Sequence, residues 1–274
     1  MKFTHSKRLA SMVMAGALAV SMAAPAFAAD DTTNRSVAIT GAYADVPIDV
    51  VVPTTGTVVV NPYGLPIELT KSDSTKVNLT GQQITTRPMA IKNQSELDLG
   101  ASVTATATAA GNLKFVAATN VGSTTAGNNA FVYLQSQPLD IATGTTNMTT
   151  LAADTNAVTD AITDAFVTWA ADGATYNAES DLIITDKTGG AKKDNMFTLA
   201  AAEKVAADAT ATPAVVAHVK YNTESIALIR LAGDLSPVVK TPWSAGRAAS
   251  ADDPAVPADG FTVNLVFTFA PVAG

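Results

Sequence analysis

The chain closes on GFTVNLVFTFAPVAG, residues 260–274. Phe261, Val263, Leu265, Phe267 and Phe269 alternate there with Thr262, Asn264, Val266 and Thr268. A period of two places successive side chains on opposite faces of a strand. Five large apolar groups on one face demand burial on that face, so the stretch predicts a core strand. At roughly 25 cal/mol per Å² of apolar area removed from water, such a strand stabilises a fold by several kcal/mol. Aromatic residues make up only 6% of the chain, so this strand supplies a large share of the core's bulk.

Working back from that end, the same alternation recurs in short runs separated by turn residues. ASVTATATAA sets Val103, Ala105 and Ala107 against Thr104, Thr106 and Thr108. Near the other end, Val46, Ile48, Val50 and Val52 share one face, Pro53-Thr54-Thr55-Gly56 reads as a turn, and TVVVN follows. Pro47 lies inside that run and lacks an N–H for the ladder, which predicts an edge or a bulge. Asn61-Pro62-Tyr63-Gly64 is a second turn signal. AVVAHVKYNTESIALIRLAG reads as a hairpin about Asn222-Thr223-Glu224, and DLIITD with NMFTLAA reads as two strands joined by KTGGAKKDN. About a dozen short strands with turn signals between them predict an all-β fold, an antiparallel β-sandwich of immunoglobulin-like or jelly-roll-like type. Strands at both ends of the sequence predict a single domain over residues 29–274, its first and last strands sharing one core.

The section from about 140 to 213 differs. It is rich in Ala, Thr and Asp and reads as an insertion. Val158, Ile162, Phe166 and Trp169 recur at helical spacing, with Asp172-Gly173 as a stop and Asp154 or Thr155 as a cap. A short helix covering one face or end of the sandwich is expected.

The first 28 residues read as a secretory leader. Lys2, Lys7 and Arg8 precede an apolar stretch from Leu9 to Ala23, and Pro25-Ala26-Phe27-Ala28 supplies a small-x-small cleavage site. The stretch is short for a span of roughly 30 Å of hydrocarbon. No cysteine follows it, which excludes a lipoprotein anchor. The expected product is secreted, at the cell surface or in the extracellular space, and free of the membrane.

Charge and composition restrict the chemistry. The chain has 274 residues, is 47% hydrophobic and 15% charged, and carries 17 basic against 24 acidic residues. Loss of the three leader cations moves the net charge from −7 to −10. Nucleic acid and anionic membrane surfaces call for basic patches and are not expected partners. The absence of cysteine excludes disulfides, thiolate metal sites and a cysteine nucleophile. His218 is the one histidine beyond the leader, and no G-x-S-x-G surrounds any serine, so a hydrolase triad is not expected. Asp30-Asp31, Asp252-Asp253 and the trio Asp181, Asp186 and Asp194 match no calcium loop, and Lys187, Lys192 and Lys193 oppose a cation at the last. No phosphate-binding glycine motif occurs. An enzyme, a cofactor and a metal are therefore not expected. Trp243, in the loop KTPWSAG, is the candidate contact for a stacked ligand such as a glycan.

IDVVVPTTGTVVVNPYGLPIEL, GQQITTRPMAIKNQSELDLGASVTATAT and FTVNLVFTFAPV resemble segments of secreted Gram-positive (Firmicutes) surface and matrix proteins. In that group a VPT strand, an NPY turn, an I-x-N-x-S strand and a terminal F-T-F strand flank a variable middle. The resemblance covers the flanks, about half the chain. It implies a β-sandwich surface or matrix component, distantly similar to camelysin-type and biofilm-fibre subunits, with no catalytic residues to transfer.

Export, little reactive chemistry and edge-capable strands near both ends predict a structural subunit of an extracellular filament, pilus-like fibre or surface layer. Strand exchange between subunits is the expected mode, with Val37, Ile39, Val46, Ile48 and Val50 as the assembly strand and the chain itself or other surface proteins as partners. The alternative is an adhesin or carbohydrate-binding surface module using Trp243.

Overall fold

A computed structural model of the chain describes residues 16–21, 35–39, 48–122, 128–139, 155–184, 190–212, 214–221, 223–236, 243–247 and 255–272. The fold is mostly β, with several antiparallel sheets and one α-helix among the described residues. The first half holds β1 (Gly16–Ser21), β2 (Arg35–Ile39), β3 (Ile48–Val52), β4 (Thr55–Val60), β5 (Ile67–Thr70), β6 (Lys76–Leu79), β7 (Ile84–Thr86), β8 (Ala90–Asn93), β9 (Leu99–Ala110), β10 (Leu113–Phe115) and β11 (Asn128–Pro138). Helix α1 (Thr155–Ala171) follows. The rest comprises β12 (Leu182–Ile183), β13 (Ala191–Leu199), β14 (Glu203–Val205), β15 (His218–Lys220), β16 (Ile226–Leu235), β17 (Ala245–Arg247), β18 (Val256–Ala258) and β19 (Gly260–Pro271).

The closing stretch is β19, and its alternation is realised in full. Phe261, Val263, Leu265, Phe267 and Phe269 are each at most 2% exposed, while Thr262 and Asn264 face solvent. β19 pairs antiparallel with β9 along twelve residues. The register sets large against small: Phe261 opposite Ala109, Val263 opposite Ala107, Leu265 opposite Ala105 and Phe269 opposite Ala101. Directly opposed side chains share a face, so the alanines make room for the aromatic rings. That is how an alanine-rich, aromatic-poor chain fills a core. On the outer face, Thr262 meets Thr108, Asn264 meets Thr106 and Thr268 meets Ser102, a polar ladder suited to solvent.

The same core takes Ile48, Val50 and Val52 from β3, Val132 and Leu134 from β11, and Ile229 and Leu231 from β16. The early and late strands thus share one interior. Their backbones are not hydrogen-bonded neighbours, however: β19 is flanked by β9 and β1, and β3 by β8 and β2. β16 is covered on both sides. Ile229 and Leu231 face the main core, while Ile226 and Leu228 face a second cluster with Leu69 and Leu79 of the β5–β6 hairpin and Val158, Phe166, Val167 and Ala170 of α1.

The helix lies where its periodicity predicts and covers a face. Gly173 ends it at φ +84°, a conformation open to glycine, and its N–H donates to the Ala170 carbonyl at 3.2 Å. Asp154 lies outside the described residues, and Thr155 is the first helical residue. Arg230 of β16 locks the helix end in place. Its Nη1 donates to the Trp169 carbonyl at 2.9 Å, its Nη2 to the Gly173 carbonyl at 2.7 Å, and its Nε to Gln135 Oε1 at 3.0 Å. The guanidinium also stands 4.0 Å from the centre of the Trp169 ring. Burial pulls its pKa down to about 10, partly offset by Tyr133, Asp181 and Asp172.

Two expected hairpins do not form. β15 pairs with β14 rather than with β16, because β16 already holds β11 on one flank and β8 on the other. Likewise β12 joins β11 and β13 joins β9, so the two strands around KTGGAKKDN reach different ladders. Between β13 and β15 the chain forms β14 and an isolated bridge between Asp208 and Val215. Pro47 and Val46 lie outside the described residues.

Candidate assembly edge

β19 offers backbone groups on two flanks. On one it holds β9; on the other it holds β1, a segment of the predicted leader. β1 runs antiparallel to β19 over six register pairs, from Gly16 opposite Phe267 to Ser21 opposite Thr262. It also runs parallel to β4, pairing Ala19, Val20 and Ser21 with Thr55, Gly56 and Thr57. β1 is therefore the only described strand in the gap between β19 and β4. Gly16, Leu18 and Val20 take the register positions opposite Phe267, Leu265 and Val263, the core-facing residues of β19.

The far wall of this gap is β4. It pairs with β7 at three positions, and the Asn61 N–H to the Gln83 carbonyl at 2.7 Å and the Arg87 N–H to the Thr57 carbonyl at 3.2 Å extend that ladder. β7 reaches β16 through one register pair, Ile84 with Gly233, and the Leu235 N–H donates to Gln83 Oε1 at 2.7 Å. The hydroxyls of Thr85 and Thr86, both buried on β7, find no partner among the described residues. Each unsatisfied buried hydroxyl costs about 1–3 kcal/mol. Gly56 packs against Met89, whose side chain would have to move aside for a Cβ at that position.

β2 forms the other free end of the sheet. Among the described residues it pairs with β3 alone, with Val37 opposite Val50 and Ile39 opposite Ile48. Of the five assembly-strand residues expected from the sequence, Ile48 and Val50 are buried core residues of β3. Val37 and Ile39 lie on β2, and Val46 is outside the described residues. The structure thus separates the expected strand into a core strand and an edge strand. Sequence reasoning missed β1. The signal was present, since Gly-Ala-Leu-Ala-Val-Ser alternates small and larger residues, but an apolar leader is read as a targeting segment rather than as a strand.

Trp243 is corrected. It is 9% exposed and belongs to the main core, so its ring has no open face for a stacked ligand, and its indole N–H finds no partner among the described residues. The loop is held by Asp259, which is buried and accepts from the N–H groups of Asn112 at 2.6 Å and Ser244 at 2.8 Å and from Asn128 Nδ2 at 2.7 Å. Sequence reasoning did not single out this carboxylate.

Other candidates for chemistry are dispersed. His218 is half-buried on β15, its Nδ1 2.7 Å from the Val216 carbonyl. Asp181 is buried and bound by Gln135, Asn177 and Ser180, whereas Asp194 is exposed and paired with Lys192 at 2.7 Å. Asp186, Asp30-Asp31 and Asp252-Asp253 lie outside the described residues. Among the described residues no three His, Asp or Glu side chains group to hold a metal ion. A cleft of about 550 Å³ beside β13 and the end of β11 includes Asp98, Glu224, Met196 and Val272. Its lining carries no histidine, lysine or arginine, and Asp98 Oδ1 is engaged by the Ala201 N–H at 2.7 Å.

Compared with family models, curated proteins and solved structures, the chain matches none.

Proposed function

We propose that the chain is an exported structural subunit, a β-sandwich that assembles with copies of itself into an extracellular filament or surface layer by strand exchange. The observation that carries this reading is the gap between β19 and β4. A strand entering it gains six register pairs on one side and three on the other. β2, by comparison, makes five pairs on one side among the described residues. If residues 1–28 are removed on export, β19 and β4 each keep an unsatisfied flank, and unpaired edges recruit strands. The first strand of the processed chain, with Val37 and Ile39 at alternate positions, is the donor. Donation from each subunit to the next is head-to-tail, which builds open fibres. The low count of reactive groups and the resemblance of the flanks to matrix proteins support the same reading. The adhesin alternative loses its anchor with the burial of Trp243.

Negative-stain imaging of residues 29–274 tests this. Fibres are expected, and deletion of Asp30–Tyr43 is expected to leave folded monomers. Monomers alone under every condition of concentration, salt and pH would overturn the proposal.

A further inference from the structure

We infer that residues 16–21 act as a built-in stopper for the strand-acceptor gap, so that cutting the chain after Ala28 is the event that permits assembly. The inference rests on the strand-exchange reading above and adds its regulation.

Three observations combine. The stopper lies wholly on the leader side of Ala28, so one cut separates all six of its residues from the body. It completes both walls at once, satisfying β19 from Thr262 to Phe267 and β4 from Thr55 to Thr57. Its alternate residues Gly16, Leu18 and Val20 occupy the positions opposite the core-facing residues of β19, and it carries neither charge nor proline, so nothing in it opposes pairing.

The physical cause of the control is tethering. A strand in the same chain as its acceptor acts at an effective concentration of roughly millimolar, so a neighbour's strand at micromolar concentration is outcompeted by about a thousandfold. The cut removes that advantage. A leader-type peptidase adds water across the Ala28–Ala29 amide, leaving a carboxylate on Ala28 and an ammonium on Ala29. The released peptide then binds only by its own affinity and dilutes away, and the gap passes to a neighbour.

The test uses the full chain, made by membrane-free synthesis, with a specific protease site inserted after Ala28. Hydrogen exchange of the β19 amides and sedimentation are followed before and after cutting. Uncut chain is expected to stay monomeric, with Thr262–Phe267 protected. After cutting, the amides that face the gap should exchange about tenfold faster or more in the monomer fraction, and polymer should pellet. A synthetic peptide of residues 15–22 should restore protection and suppress pelleting, and Leu18→Asp in the uncut chain should mimic the cut. Unchanged exchange after cutting, with an inert peptide, overturns the stopper even if fibres form. Loss of protection without any polymer leaves the stopper standing and removes the filament reading. If the cut chain unfolds, refolding on addition of the peptide supports the stopper, and failure to refold overturns it.

Discussion

On one flank of the β9–β19 ladder the chain places β13; on the other it places six residues of its own predicted leader. The first flank ends in a guarded edge. β13 shifts register between Lys193 and Phe197, and Asn195 there adopts φ +49°. Lys192 and Asp194 form an exposed ion pair at 2.7 Å, and Lys193 Nζ reaches the carbonyls of Glu179 and Asp181. A bulge and a charge cluster are what keep an edge strand from pairing with another molecule. The second flank has none of this. It is uncharged, regular and filled by a strand that export is expected to remove. On the proposed reading, one ladder has a closed side and a side that stays closed only while the leader is attached, which would give assembly a single direction.

Changes in the shared ladder should break the comparison most severely. Phe267→Ala removes a fully buried ring that contacts Phe197 and Phe269 and stands opposite both Val103 and Gly16. It should cost about 3–5 kcal/mol, read as a lower urea midpoint at unchanged slope, and both flanks should fail together. Arg230→Ala, on β16 and outside the two flanking strands, should cost about 3 kcal/mol because two helix-end carbonyls and Gln135 lose their donor, while Arg230→Met should cost less. Fibre formation by whatever remains folded should be unchanged, which separates stability from edge chemistry. Trp243→Ala should lower stability by about 3 kcal/mol through core loss. Its binding to a glycan array should equal that of the parent, since the ring is buried. The sharpest contrast has the smallest energy. Replacing Lys192, Lys193 and Asp194 together by Val should alter stability by no more than about 0.5 kcal/mol. It should nevertheless open the guarded flank, seen in light scattering as side-by-side association absent from the parent.

What the sequence made legible was periodicity. The twelve-residue β19, the Val/Ala–Thr alternation of β9 and the helix from Thr155 to Ala171 follow from side-chain spacing alone, because burial of one face decides each. Partnership was not legible. β16 looked like the second arm of a hairpin with His218–Lys220, yet each of its flanks is taken by a strand distant in sequence. Backbone pairing depends on which edges are already occupied, and no local pattern records that. The candidate edge was half legible: Val37 and Ile39 lie on an edge strand, but the acceptor is made from β19 and β4, and its present occupant was read as a targeting segment. Trp243 shows the converse error. A tryptophan in a Pro- and Gly-containing loop suggests exposure, whereas the loop is drawn inward by Asp259.

Whether a neighbour's strand fills the gap is decided most directly by cryo-electron microscopy of fibres grown from residues 29–274, at a resolution that distinguishes side chains. The expected map has a strand from the adjacent subunit between β19 and β4, antiparallel to β19, with Val37 and Ile39 at the positions facing Leu265 and its neighbours. A gap that is empty, or closed by the subunit's own chain, would contradict it.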